Sequence, residues 1–148
     1  MIKNILSLNS KHKVLEYLDD FSKKKLLLYG KMRNFDLEDK SKNNVSYLSP
    51  LVARGIITEQ EIVTRVLKRH KFKDIEKFIY EVYWRSYWRG FLESHPKIYS
   101  DYKIDLNNLI EYTNSKNYTS AINGNTGIEC FDFWVQELSI SGYLHNHV

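Results

Sequence analysis

The sequence predicts an all-α fold, and three observations lead there. Apolar residues recur at i, i+3, i+4 and i+7 through most of the chain, the spacing that lines one side of a helix. Helix start and stop signals punctuate those stretches: Ser10, Ser49-Pro50, the Thr58/Glu61 pair, Gly55, Gly124 and Gly142. Runs that alternate apolar and polar residues between turn signals, the pattern of half-buried strands, are missing. With 148 residues, 43% apolar and 27% charged, the chain has enough length and apolar content to fold around a core. A single helical domain over residues 1–148 is expected.

The elements follow in order. Ser10 is placed to cap a helix with Val14, Leu15, Leu18 and Phe21 on its apolar side, running through Lys23-Lys24-Lys25 to about Tyr29. The Lys-Lys-Lys-Leu-Leu-Leu-Tyr run is read as its continuation, not as a strand. Residues 30–45 are polar and loop-like. Ser49 at the N-cap and Pro50 at the first helical position begin a short helix that Gly55 ends. Thr58 and Glu61 have capping-box spacing and open a helix to about His70. Asp74 opens the longest helix, which carries Ile75, Phe78, Ile79 and Val82 on its core face and stops near Ser94 at His95-Pro96. Asp105 is read as the cap of a short helix to Tyr112. A weaker helix over 117–123 ends at Gly124. Thr126 and Glu129 again have capping-box spacing. Phe131, Trp134, Val135 and Leu138 form the buried stripe of the last helix, and Gly142 is its left-handed stop.

Composition narrows the function. Lys and Arg number 22 against 18 Asp and Glu, a net charge of +4 that fits contact with phosphates. Aromatic residues at 14% supply a core of large rings or a surface that stacks on flat ligands. The single Cys130 excludes a disulfide framework; within a helix it reads as a small buried hydrophobe, and a reducing cytoplasm is the expected compartment. The N-terminal apolar stretch is too short for a leader, and no stretch reaches the roughly 18 apolar residues of a membrane span. His145 and His147 have H-x-H spacing without further ligands, so no metal site is expected. His12 and His70 read as solvated. The glycine-rich loops of P-loop and dinucleotide-binding proteins and the G-x-S-x-G elbow are absent from the sequence.

Three constellations could carry chemistry. On the long helix Glu81, Trp84, Arg85 and Trp88 share a face distinct from the core face, and Glu81 can pair with Arg85 one turn away. That pattern serves a lined cavity, or a surface ion pair beside two half-buried indoles. Asn44-Val45-Ser46-Tyr47-Leu48-Ser49-Pro50-Leu51 leads into a helix start, where hydroxyls and backbone N–H groups suit an anion; an ordinary capping serine is the other reading. Tyr29-x-x-x-Arg33-Asn34 lies just upstream of it.

Taken together and in order, these motifs resemble the photolyase/cryptochrome flavoprotein family. Ser46, Leu48, Ser49 and Pro50 match its (T/S)S-x-LSPYL motif, with Val45 where a Thr is usual. Glu81, Trp84, Arg85 and Arg89 match its E(L/V)xWRxxxR helix, with Ser86 where an acidic residue is common. Tyr29 matches its Tyr-x-x-x-Arg element. Thr126-Gly127, Asp132 and Gly142-Tyr143-Leu144-His145-Asn146 match its TG…D…L…TG(W/Y)(M/L)HN stretch. The resemblance covers about residues 29–148. It implies FAD as cofactor, held by Tyr29, Ser46, Leu48, Ser49, Arg85 and Asn146. It implies damaged DNA as partner, with Glu81 and Trp84 meeting a pyrimidine dimer and Asn146 facing the flavin's reactive edge. The implied activity is light-driven repair, in which an electron passes from reduced flavin to the dimer and returns after the ring splits. A cryptochrome-like photosensor without repair, or a fragment that no longer holds FAD, shares the same motifs. The family continues beyond the His-Asn pair, so the chain is expected to be the N-terminal part of a photolyase/cryptochrome-like FAD-binding domain. The α/β antenna domain is expected to be lacking, and residues 143–148 to be weakly held.

Overall fold

A computed structural model describes residue 5, residues 7–37 and residues 39–145. Among the described residues there are eight α-helices, two short 3-10 helices and no strand, as the sequence predicts. The chain divides into two compact units, Met1–Tyr87 and Trp88–Val148. No helix of the described residues is long and apolar enough to cross a membrane.

The first unit opens with α1, Lys11–Lys24, capped by the Ser10 hydroxyl, which accepts from the Lys13 N–H. The helix was expected to reach Tyr29 and stops at Lys24. Three consecutive leucines cannot all face one core, and the backbone tightens into a 3-10 turn over Leu26–Leu28. That turn buries Leu26 and leaves Leu27 and Leu28 exposed. A one-turn helix α2, Tyr29–Met32, follows. After the loop, α3 spans Ser49–Ala53. It ends in a Schellman closure, with Ile56 N–H on the Leu51 carbonyl (3.0 Å), Gly55 N–H on that of Val52 (2.9 Å) and Gly55 at φ +70°. Helix α4, Glu59–Leu67, has the full capping box between Thr58 and Glu61. Helix α5, Phe72–Ser94, is the longest, and the boundary between the units falls within it.

The core of this unit is aromatic at its centre. Phe21, Tyr29 and Phe78 meet in tilted and edge-to-face contacts, with centroids 5.2–6.5 Å apart. Val14, Leu18, Leu51, Ile57, Ile62, Val66, Ile75 and Ile79 close around it. Arg65 of α4 donates two hydrogen bonds to the Asp19 carboxylate of α1, at 2.8 and 2.6 Å. His70 is not solvated: its Nε2 lies 3.0 Å from the Ser22 hydroxyl and 3.1 Å from the Ser22 carbonyl, tying the α4–α5 turn to α1.

In the second unit α6 spans Pro96–Asn108, α7 Lys116–Ile122 and α8 Glu129–Ser141. Asp105 does not cap a helix to Tyr112. It lies inside α6, because Pro96 both stops α5 and starts its successor at a position that needs no N–H. Ser115 caps α7 through the Tyr118 N–H. The expected Thr126/Glu129 capping box is absent. The Asp132 carboxylate instead takes the Thr126 N–H (2.9 Å), the Thr126 hydroxyl (2.7 Å) and the Gly127 N–H (3.0 Å). Gly142 ends α8 at φ +66°. The stripe of α8 is not buried: Phe131 and Leu138 are exposed, Trp134 and Val135 half-buried, and α6, α7 and α8 bury no residue. Cys130 is likewise exposed, not buried.

Candidate functional site

Residues 43–51 run as a buried, polar-laced segment into α3. Asn43, Asn44, Val45, Tyr47 and Leu48 are all buried, which an irregular segment tolerates only when its polar groups find partners. Lys25 provides two of them, donating to the Ser41 carbonyl (2.8 Å) and the Asn43 carbonyl (2.7 Å). The Asn43 carboxamide donates to Asp36 (2.9 Å) and accepts from the Leu37 N–H (2.7 Å). The Tyr17 hydroxyl of α1 donates to the Ser46 carbonyl at 2.9 Å; burial, then the neighbouring Tyr47 and Asp20, pushes that phenol's pKa far up. Two features remain unresolved by this bonding. Tyr47 holds φ at +52°, a left-handed conformation that a bulky side chain adopts only when its surroundings impose it. Asn44 Oδ1 is fully buried and has no hydrogen-bond donor among the described residues.

Ser49 does not serve as the helix cap. The N-cap position belongs to Leu48, which lacks a capping oxygen, and Ser49 is the exposed first residue of α3. The Ser46 hydroxyl takes over part of that role at long range, accepting from the Leu48 N–H at 3.4 Å. Ser46, Leu48 and Ser49 therefore form one continuous stretch, with a half-buried hydroxyl and an exposed one separated by a buried leucine.

A second cluster joins residues far apart in sequence. Arg33, at the end of α2, forms an ion pair with Glu81 of α5, with side chains 20% and 31% exposed. The Tyr29 ring is in the aromatic core, and its hydroxyl reaches the same pair. Burial, then Glu81, raises the Tyr29 phenol, while Arg33 opposes the rise through its charge and a hydrogen bond. The expected Glu81–Arg85 pairing is replaced. Arg85 turns to Glu59 of α4 (3.7 Å), beside Ser86, whose hydroxyl donates to the same carboxylate at 3.4 Å. Trp84 is 43% exposed, with its ring edge-to-face on Tyr87 at 5.4 Å. An aromatic surface thus follows Glu81 along α5, open to a flat ligand.

The structure brings Tyr29 and Glu81 together through Arg33 and keeps Ser46, Leu48 and Ser49 contiguous. It separates Arg85 from Glu81. Asn146 lies outside the described residues. The preceding His145 is only 2% exposed, and Tyr143 and Leu144 are half-buried, so the described part of the expected loose tail is held. Among the described residues no group of three His, Cys, Asp or Glu side chains could hold a metal. Sequence reasoning missed the structural work of Tyr17, Lys25, Asn43 and Asn44. Lysines and asparagines flanking a loop carry no periodic signal, and only the paired Asn43-Asn44 before the Ser46 motif marks the place.

Comparison with known proteins gives a partial similarity to a photo-lyase. The chain is 29% identical over 122 residues to a deoxyribodipyrimidine photo-lyase of Buchnera aphidicola subsp. Baizongia pistaciae (strain Bp). The match takes in 78% of this chain and 25% of the photo-lyase, so the chain spans about a quarter of that relative's length. Wherever it begins, a match of that extent includes Ser46, Leu48, Ser49, Glu81, Trp84 and Arg85. No protein-family model matches the chain, and no solved structure matches it.

Proposed function

We propose that this chain builds part of a photolyase-type site that binds FAD and acts on pyrimidine dimers in DNA. The observation that carries the reading is the 122-residue similarity to a photo-lyase, which spans the serine run and the Glu81–Arg85 face. The buried Asn44 oxygen supports it. An occluded acceptor without a donor is costly, and a flavin nucleotide brings hydroxyl and amide donors. Small movements of the strained Tyr47 segment would expose that oxygen. The donor set of Ser46, Ser49 and backbone N–H groups suits the cofactor's phosphates.

In this reading Tyr29, Ser46, Leu48, Ser49, Arg85 and Asn146 hold the cofactor. When bound, FAD supplies photochemical electron transfer to the lesion. Glu81, aimed by its ion pair with Arg33, orients the dimer by accepting its N–H groups. Trp84 stacks on the displaced base and excludes water from it. Arg85, bound to Glu59 when the site is empty, exchanges that partner for a phosphate.

The test is a titration of FAD with the purified chain, following flavin fluorescence. Saturable quenching is expected, weaker in Ser46→Ala, without stoichiometric flavin retained on gel filtration. Absence of any saturable change sinks the reading. Trp84→Ala is expected to lower affinity for dimer-containing DNA while sparing FAD, since one base–indole stack contributes about 1–3 kcal/mol.

A further inference from the structure

Two polar side chains from one helix hold the segment that carries Ser46. Tyr17 lies within α1, and Lys25 is the residue just beyond its end. Eight residues separate them, roughly 12 Å at the helical rise. The Tyr17 hydroxyl donates to the Ser46 carbonyl at 2.9 Å. The Lys25 ammonium donates to the Ser41 and Asn43 carbonyls at 2.8 and 2.7 Å. Both side chains are half-buried. Their own anchorage is firm: the Lys25 N–H bonds to the Phe21 carbonyl at 2.9 Å, and the Phe21 ring belongs to the aromatic core. The Asn43 carboxamide ties the same segment to the start of its loop, through Asp36 and the Leu37 N–H.

Packing alone does not fix these residues. A cleft of about 100 Å³ is lined by Tyr17, Phe21 and Lys25 on one side and by Val45 and Tyr47 on the other. Side chains around such a gap forgo part of their dispersion contacts, so hydrogen bonds carry more of the hold. The segment is also not at rest. Tyr47 keeps φ at +52°, and Asn44 Oδ1 is buried with no donor among the described residues. A free loop would relax both, by turning Tyr47 back to negative φ and Asn44 toward water. The bonds to the Asn43 and Ser46 carbonyls bracket Asn44 and restrain the approach to Tyr47. We propose that Lys25 and Tyr17 are positioning residues: they hold residues 43–47 in the strained conformation from which the Ser46 hydroxyl and the Asn44 oxygen meet the diphosphate and sugar of a dinucleotide. The inference rests on the photolyase-type reading above and adds two residues that precede every motif of that site in the chain. Neither side chain has to touch the ligand. They raise the fraction of chains whose site is ready, and apparent affinity scales with that fraction.

The experiment is the FAD titration by flavin fluorescence, run on variants of the whole chain beside amide hydrogen exchange read by mass spectrometry. Lys25→Met is expected to bind FAD at least about tenfold more weakly, and Tyr17→Phe about fivefold, in line with charged and neutral hydrogen bonds respectively. Lys25→Arg keeps a cation with several donors and is expected to stay within about threefold of the unmodified chain. Lys23→Met, at an exposed lysine two residues away, is expected to bind as the unmodified chain does. In Lys25→Met, exchange is expected to quicken over residues 41–48 and to stay unchanged in α4 and α5. Should Lys25→Met melt early by circular dichroism, Tyr17→Phe, which keeps its ring, carries the same comparison. Unchanged affinity in both Lys25→Met and Tyr17→Phe, a Lys25→Arg chain no better than Lys25→Met, or exchange quickened equally throughout α4 and α5 overturns the inference and leaves the FAD reading standing. An unmodified chain that shows no saturable change in flavin fluorescence overturns both, so the unmodified chain tells the two failures apart.

Discussion

Arg33 holds Glu81 from the end of α2, although Arg85 stands one turn away on Glu81's own helix. An i, i+4 pair contributes only a few tenths of a kcal/mol, so a tertiary partner beside the aromatic core displaces it. Arg33→Met leaves a half-buried carboxylate without its cation and is expected to lower stability by about 1–2 kcal/mol in urea unfolding. Adding Glu81→Gln is expected to restore part of that loss, because the stranded charge goes with it. Tyr29 gives a pH test at the same place. Its phenol is raised by burial, and Tyr17 is raised more strongly by the same cause. A raised folded-state pKa means the contribution to stability is complete below pH about 10, the unfolded value, and is lost as pH climbs through the folded value. Ultraviolet difference titration of the 11 tyrosines is therefore expected to leave Tyr17 and Tyr29 protonated until the fold gives way. Full ionisation of all 11 in one step near the ordinary phenol value would contradict the burial.

Two helix starts that look alike in sequence behave differently in space. Thr58 caps α4 with both bonds of the capping box, and Thr58→Ala is expected to cost about 1 kcal/mol. Ser49 caps nothing, so Ser49→Ala is expected to leave the melting temperature within error, while any effect on FAD affinity tests its other role. Asp132 stands in for a cap that the sequence assigned to Glu129, and the Thr126 and Gly127 bonds hold its carboxyl below the usual carboxylate range. A depressed pKa stabilises above the unfolded carboxylate range and is lost as pH falls through the folded value. Amide-exchange protection of Thr126 and Gly127 is expected to vanish in acid, and Asp132→Asn to reduce it already at neutral pH. Helix existence was legible because periodicity, Ser10, the Thr58/Glu61 box and Gly142 are local signals. The boundary of α1 and the extent of α6 were not, since a run of leucines and a Pro that both ends and begins a helix are decided by packing. The motif residues of the site were legible as a pattern. The partners that hold them, Arg33, Tyr17 and Lys25, come from distant positions that one sequence does not connect.

The two units differ in how they treat apolar side chains. The first gathers a buried core around Phe78, with Val14, Leu18, Phe21, Leu51, Ile62 and Ile75 among its members; the helices of the second bury no residue, and Ile104, Leu106, Ile110, Tyr112, Ile122, Phe133 and Ile140 are exposed by 47–75%. Exposed apolar surface of that kind marks a face that something else covers. Folded chain at neutral pH is expected to enhance the fluorescence of the dye ANS, and Leu106→Lys/Ile110→Lys to reduce that signal without lowering helix content; a chain that leaves the dye dark would show those faces already covered. The placement of the indoles has an optical consequence. All three tryptophans, Trp84, Trp88 and Trp134, lie outside the Phe21–Tyr29–Phe78 cluster, two of them 43% and 47% exposed. Their native-state emission is therefore expected to lie toward the long wavelength of a wet indole, and unfolding to shift its colour little. Whatever stacks on Trp84 quenches it directly, which makes the intrinsic fluorescence of this chain a poor thermometer and a good ligand gauge.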